Sequence, residues 1–318
     1  MASLLTDSRS VTTSPSDRRR AAAPKRRRGR QPPGEPRLVA YLYLAPALLL
    51  ISLFVLFPLV HTVYLSFFRW DGVTAGTWVG TKNYRQILAD PQLRALFAHS
   101  LELVLFYAVL PIMFALLITA LFARQTIRGM TFYRAVLFVP QAVSLVVVAV
   151  AWQWVYAASG VANQFLGFLG LNHHIAWLGD FTWALPAIGL IGSWLLTGLC
   201  VVLFLSGVQK IDAELYEAAR IDGASARHEF RHVTLPGLRA EMSVAVTLTV
   251  VAALKSFDLV YVLTKGGPGT STSVPGLEIF ERAFNRQQVG SAASLGVVLT
   301  VLILVVAILI DHLSKDPQ

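Results

Sequence analysis

The sequence predicts an all-α membrane protein with six transmembrane helices. Three observations carry this. Of 318 residues, 55% are hydrophobic and only 14% are charged, against roughly a quarter charged in a soluble domain. The apolar residues gather into six long runs. The basic residues divide unevenly among the segments between those runs.

A helix needs about 20 mostly apolar residues to cross the hydrocarbon core. The runs at 42–67, 101–123, 135–156, 184–207, 243–263 and 292–310 meet that length. They show little amphipathic patterning, so a soluble protein would lack the polar surface to cover them. Pro46, Pro58, Pro111, Pro140 and Pro186 fall in or near the runs. Such prolines are tolerated where neighbouring helices satisfy the freed carbonyls. The first run is longer than a signal-peptide core, and no small-residue cleavage site follows it, so a retained first helix is expected.

The net charge is +9, from 27 Lys and Arg against 18 Asp and Glu. In a soluble protein that balance would point to nucleic acid. Its distribution argues otherwise. Segment 1–37 holds ten basic and three acidic residues, a charge of +7, and the rest of the chain carries only +2. Segment 1–37, rich in Pro, Arg, Ser and Ala, is expected to be a disordered basic cytoplasmic tail. It would set topology, with contact to anionic head groups as a second reading. Segment 38–318 is expected to be the membrane domain. With the N-terminus inside, 19 basic residues fall on inner segments and seven on outer ones, with Lys255 inside the fifth run. That bias places both termini in the cytoplasm. The single cysteine, Cys200, rules out an internal disulfide.

The outer segments are modest. In 69–100, Trp70-Asp71-Gly72 reads as a turn and 84–88 as a short helix. In 264–291, Lys265-Gly266-Gly267-Pro268-Gly269 reads as a turn. A short amphipathic helix follows, with Leu277, Phe280 and Phe284 at helical spacing. No segment is large enough for an enzyme domain. We read no Gly-Lys-Ser/Thr phosphate loop and no paired His or Cys spacing for a metal. His173-His174 reads as a structural surface pair. No catalytic residue and no metal site are expected.

Few polar groups enter the runs. Lys255 and Asp258 lie at i, i+3, followed by Tyr261. Intramembrane charges mark function by default, and this spacing on a helix puts both on one face, where they can pair. Two readings stand: a self-neutralising pair facing a neighbouring helix, and the lining of a transport path. Trp152-Gln153-Trp154 closes the third run, as interfacial anchors or as a stacking face for a sugar. His99 and Glu102 open the second run and are expected to be solvated.

The inner segment 210–241 is the most polar stretch after the tail. Asp212 can cap a helix through Ile221, Gly223 can end it, and Ser225 can cap a second short helix to about 233. Leu215, Ala218, Ala219 and Ile221 give the first helix a small apolar face, edged by Glu214, Glu217, Arg220 and Asp222. Such a face suits a groove on another protein.

Glu217-Ala218-Ala219, Asp222-Gly223-Ala224, Phe230 and Leu235-Pro236 resemble the EAA loop of binding-protein-dependent ABC importer permeases. The resemblance extends to 41–58, Ser66-Phe67-Phe68-Arg69-Trp70, Asn83-Tyr84, Phe132-Tyr133-Arg134, 137–140, 257–264 and 266–272. It is closest to carbohydrate-type permeases of the maltose and glycerol-phosphate kind. It implies a type I ABC importer permease fold. It also implies a role as transmembrane subunit of an ATP-driven importer of an oligosaccharide, polyol or glycerol phosphate in the bacterial inner membrane.

The partners implied are a second permease forming a heterodimer, two cytoplasmic ABC ATPase subunits, an extracytoplasmic solute-binding protein and the lipid bilayer, with no nucleic acid. The resemblance implies no cofactor on this chain, with ATP and Mg bound by the ATPase. By position, Glu217 is the charged contact, Ala218 and Ala219 the close-packed face and Gly223 the turn, with Asp222 also among the ATPase-coupling residues. Lys255, Asp258, Tyr261, Trp152 and Gln153 are the substrate-pathway candidates. The pattern departs at Gly237-Leu238-Arg239-Ala240, which lacks a common proline, and at His99-Ser100, where Asn-Thr is usual. The alternative is an ion-coupled secondary transporter, a class built from related halves with midplane ion ligands. No clear internal repeat supports it.

Overall fold

The computed structural model describes residues 37–122, 129–171 and 174–314. The tail before residue 37, with Arg124, Arg128, His173 and Lys315, lies outside the described residues. The chain divides into two units, one ending at Phe54 and the other beginning at Val55. The first contains α1 (Arg37–Ile51), which carries Pro46 internally. From Tyr41 onward its side chains are exposed despite being apolar, as befits a helix whose solvent is lipid.

The second unit begins with α2 (Phe57–Leu65). A two-residue antiparallel ladder follows, β1 (Phe68–Arg69) with β2 (Thr77–Trp78), pairing Phe68 with Trp78 and Arg69 with Thr77. Next come α3 (Lys82–Ala89), α4 (Pro91–Val104) and α5 (Leu110–Phe122). They precede α6 (Met130–Ala142), α7 (Leu145–Val155), α8 (Val161–Phe168) and α9 (Ala184–Val208). Three short helices form one loop: α10 (Ala213–Ile221), α11 (Ala226–Glu229) and α12 (Leu235–Gly237). The chain closes with α13 (Arg239–Leu254), α14 (Asp258–Leu263), α15 (Pro275–Phe280) and α16 (Val289–Ser314).

Among the described residues, five helical stretches are long and apolar enough to cross a membrane, or six if the bent pair α6–α7 counts as one span. The expectation of six regular spans is corrected at two of them. The third bends by 94° between α6 and α7. Pro140 in the last turn of α6 removes a backbone donor, and Val143 and Ser144 then run extended. The fifth breaks between Leu254 and Asp258.

Three of the four described π-helical segments end two residues before a proline. Ser52–Leu56 precedes Pro58, Leu105–Val109 precedes Pro111, and Phe230–Thr234 precedes Pro236. A proline cannot donate to the carbonyl four residues back, and its ring crowds that carbonyl. Widening the turn before it lets a carbonyl pair with the N–H five residues on. The Leu110 amide bonds the Leu105 carbonyl and the Leu235 amide bonds the Phe230 carbonyl in this way.

The core centres on α9. Of its most apolar window 67% is buried, against 22% for α16, so α9 packs on this chain while much of α16 stays exposed on it. One cluster joins Leu103, Val148, Ile188, Ile191 and Val260. A second joins Ala115, Val201, Phe204, Leu238 and Ala245. Helices in lipid associate through close van der Waals packing rather than by escaping water, so small residues sit at their contacts. At Gly198 the backbone of α6 comes so near that a β-carbon would collide with the Leu137 carbonyl.

On the polar side, the turn predicted at Trp70-Asp71-Gly72 is tied by the Asp71 carboxylate. It accepts from the Val73 amide at 2.9 Å, the Thr74 amide at 2.8 Å and the Thr74 hydroxyl at 2.7 Å. Asn83, buried, donates to the Ser66 and Phe68 carbonyls and pins α3 under the ladder. His99 is not solvated as expected: its Nδ1 donates to the Ser273 carbonyl at 2.8 Å, joining α4 to the 264–274 loop. Glu102 is exposed as expected.

Two outcomes follow from this packing. Gly198→Val should destabilise the solubilised protein by about 1–3 kcal/mol, because the backbone of α6 must give way; an unchanged melting temperature would refute that contact. The Val73 amide, then the Thr74 hydroxyl and amide, hold the Asp71 carboxyl down at about 2. The folded value lies below the unfolded one. The turn's extra stability is therefore complete above the ordinary carboxylate range and lost as pH falls through about 2. Protection of the Val73 and Thr74 amides from hydrogen exchange should be full above about pH 4 and fall away progressively towards about pH 2; protection unchanged through that pH would contradict it.

Candidate functional site

Two places gather the residues that the sequence singles out. The first is the α10–α11 loop. Asp212 stands at the N-cap of α10, but its side chain makes no capping bond, so the expected cap is backbone only. Glu214 in the first turn and Arg220 in the last oppose the helix dipole favourably. The end of α10 is a Schellman turn. The Ala224 amide donates to the Ala219 carbonyl at 2.9 Å and the Gly223 amide to the Arg220 carbonyl at 3.0 Å. Gly223 takes φ +76°, a left-handed conformation that glycine adopts without strain.

No residue of α10 is buried. Leu215 is 54% exposed and Ile221 85%; Glu217, Ala218 and Asp222 are also exposed, and Ala219 is half-buried. These apolar side chains are nevertheless presented on a tied support. Arg220 Nε meets the Glu229 carboxylate at 3.3 Å, with Glu229 only 2% exposed. Tyr216 and Thr234 share a hydroxyl hydrogen bond of 3.0 Å. Ser225 accepts from the His228 amide, as its predicted capping role requires. Lys210 donates to Glu241 at 2.8 Å and closes the base of the loop onto α13.

The loop also corrects a reading of the sequence. His228-Glu229-Phe230-Arg231-His232 has paired histidines at i, i+4 around a glutamate, against the expectation of no paired His spacing. The two rings stack with centroids 4.0 Å apart. Glu229, the base in a hydrolytic version of such a motif, is instead held by Arg220.

The second place is a cavity of about 280 Å³ where α13 breaks. Tyr107, Gln141, Gly192, Lys255, Ser256 and Asp258 are among its lining residues. The expected i, i+3 geometry of Lys255 and Asp258 fails because no continuous helix carries them. No described ion pair joins them, and both face the same cavity. Tyr107 and Ser256 share a hydroxyl contact of 3.4 Å across it.

The other pathway candidates stand beside the cavity rather than in its lining. Tyr261 stacks on Phe257 at 5.3 Å and meets Phe280 edge-on. Trp152 packs on Tyr156 and edge-on against Trp194. Gln153 donates to the Val262 carbonyl at 3.0 Å, tying α7 to α14. Trp154, 77% exposed, remains free to anchor at an interface. Gln141, Ser256 and Tyr107 were not legible as site residues. Gln141 follows Pro140 at the α6 bend, the one local signal that marks it.

Residues 112–317 match the family described as the binding-protein-dependent transport system inner membrane component. The probable ABC transporter permease protein YurN of Bacillus subtilis (strain 168) is 33% identical over 281 residues, covering 86% of this chain and 94% of that protein. The chain belongs to this permease family. The trehalose/maltose transport system permease protein MalF of Thermococcus litoralis is 32% identical over 272 residues, covering 84% of this chain and 90% of that protein.

The crystal structure of a bacterial ABC transporter involved in the import of the acidic polysaccharide alginate has a TM-score of 0.74 at 22% identity. It covers 87% of this chain and 95% of that chain, and it establishes the type I importer permease fold. The permease is thus a multi-pass membrane component of a binding-protein-dependent importer, not an ion-coupled secondary transporter, and it is a transport subunit rather than an enzyme.

Asp258 faces the cavity without an ion-pair partner among the described residues. Asp258→Asn should therefore leave the permease's thermal stability within about 0.5 kcal/mol. A hydrogen bond to a charged group contributes about 1.5–3 kcal/mol, so if Asp258 lines the transport path the same change should lower solute uptake by roughly tenfold or more. Unchanged uptake would remove Asp258 from the path.

Proposed function

We propose that this permease is one of two similar membrane subunits of an importer for a sugar or sugar-like solute: an oligosaccharide, a polyol or a glycerol phosphate. It sits in the bacterial cytoplasmic membrane with both termini inside. Segment 1–37 is a basic cytoplasmic tail and 38–318 the permease domain, with the coupling loop at 210–241. Two ABC ATPase subunits bind ATP and Mg and receive the α10 turns. An extracytoplasmic protein delivers the solute. The trehalose/maltose name of one relative and the multiple sugar-binding transport name of another, from Streptococcus mutans, support the solute class.

The observation that carries the coupling role is the exposed α10. A helix with no buried residue, showing Leu215 and Ile221 on a support tied by Arg220–Glu229, is built to be covered by another protein. Glu217 supplies the charged contact, Ala218 and Ala219 permit close approach, and Asp222 and Gly223 shape the turn. Movement there has a direct route to the cavity. α13 leaves the loop at Arg239 and ends at Leu254, beside Lys255. Its 16 residues span about 24 Å at 1.5 Å each. Lys255 and Asp258 are the pathway groups, with Tyr261, Trp152 and Gln153 holding the walls around the break.

Gly223→Pro cannot reach a positive φ and loses the amide bond to Arg220. It should abolish sugar uptake while the chain still inserts in the membrane. Glu217→Ala should cut transport-coupled ATP hydrolysis at least several-fold. Full uptake by cells carrying Gly223→Pro would sink the coupling assignment.

A further inference from the structure

The transport reading leaves one pair of side chains unused. His228 and His232 lie one helical turn apart, both exposed, and both line a cleft of about 470 Å³ with Asp222 and Gly223. We propose that the two imidazoles form an exchangeable site for a divalent first-row transition metal ion of the Zn²⁺, Ni²⁺ or Cu²⁺ class. Imidazole nitrogen suits these ions, whereas Mg²⁺ and Ca²⁺ prefer oxygen ligands.

The geometry carries this in three steps. The rings stack with centroids 4.0 Å apart and planes 23° from parallel. Two nitrogens on one tetrahedral zinc, at Zn–N of about 2.0–2.1 Å, stand roughly 3.4 Å from each other. In this stack the in-plane lone pairs lie side by side rather than convergent, so the exposed His228 ring must turn out of the stack to meet His232 on one ion. Second, His232 Nδ1 donates to the His228 carbonyl at 3.1 Å. That bond fixes the proton on Nδ1 and leaves the Nε2 lone pair as the ligand, which is how metal-bound histidines are held by their outer contacts. Third, His232 lies in the π-helical segment Phe230–Thr234 and His228 in α11, so an ion on both would clamp the widened turn to the helix before it.

The set stops at two. Glu229 between them is 2% exposed and held by Arg220. Among the described residues no group of three His, Cys, Asp or Glu side chains is arranged to hold an ion. Water fills the remaining positions, which makes the site exchangeable rather than structural. The site needs only the ring geometry and does not rest on the coupling role proposed for α10.

The test is calorimetric titration of ZnCl₂ into the full-length, tag-free permease in detergent, with Cu²⁺ electron paramagnetic resonance on the same samples. One site is expected, with two imidazole nitrogens on the copper. His228→Ala and His232→Ala should each weaken zinc binding by at least the roughly 10–100-fold that loss of an outer-shell partner costs. His312→Ala, near the end of α16, should leave it unchanged. Elution volume and melting temperature of each variant confirm the fold. Absence of zinc binding by the wild type overturns the proposal. So does retention of the site by a folded His228→Ala/His232→Ala double variant.

Discussion

A chain inside hydrocarbon must satisfy its own backbone hydrogen bonds, and the fold of this permease follows from how it meets that demand and where it departs from it. Helices meet it by themselves. The departures lie against protein. The break between α13 and α14 is flanked by Ser256 and Leu254, both buried, and it opens on a mostly apolar cavity whose lining includes Lys255 and Asp258. The Lys255 and Ser256 amides still bond the Val251 and Ala253 carbonyls, and the Tyr261 amide bonds the Phe257 carbonyl. The interruption therefore leaves few backbone groups unpaired, and it frees two charged side chains to face one space.

The same economy governs the widened turns. A proline removes one donor, and π segments stand before Pro58, Pro111 and Pro236; before Pro111 and Pro236 the Leu110 and Leu235 amides reach carbonyls five residues back. The segment before Pro236 lies in the loop that carries α10 to α12, and the one before Pro111 holds Tyr107 at the cavity. Irregular helix is thus placed beside both candidate sites, where a geometry slightly off the α-helix positions a ring or hydroxyl that a regular turn would aim elsewhere.

Much of the chain was legible before any coordinates. Six apolar lengths, the polar loop at 210–241, Gly223 as a helix stop and Ser225 as a cap all follow from local chemistry. Each depends on neighbours within a few residues; the structure keeps the loop, the stop and the cap, and it bends or breaks two of the six lengths. Lys255 and Asp258 mark the limit. Reading them as i, i+3 partners assumed an unbroken helix, and nothing in the apolar run 243–263 signals the break. Trp152 and Gln153 were read as interfacial anchors or path candidates; what they touch, Tyr156 and Trp194 for Trp152 and the Val262 carbonyl for Gln153, came only from the fold. His99 looked solvated from its place at a span boundary, yet its Nδ1–H donates to the Ser273 carbonyl, 174 residues away. The stacked pair His228 and His232 was local and could have been seen.

The amino-acid sequence by itself determined the class of this protein, the number of apolar lengths and the address of its polar loop. Those are properties of hydropathy, charge and turn chemistry over short windows. Only the tertiary structure decided which residues share a space. Gln141 of α6, Tyr107 between α4 and α5, Gly192 of α9 and Ser256 after α13 meet around one cavity because four distant stretches pack together. That packing is settled by close approaches such as Gly198 on the Leu137 carbonyl. A contact of that kind depends on side-chain volume across separate helices, and no single window of the sequence contains it.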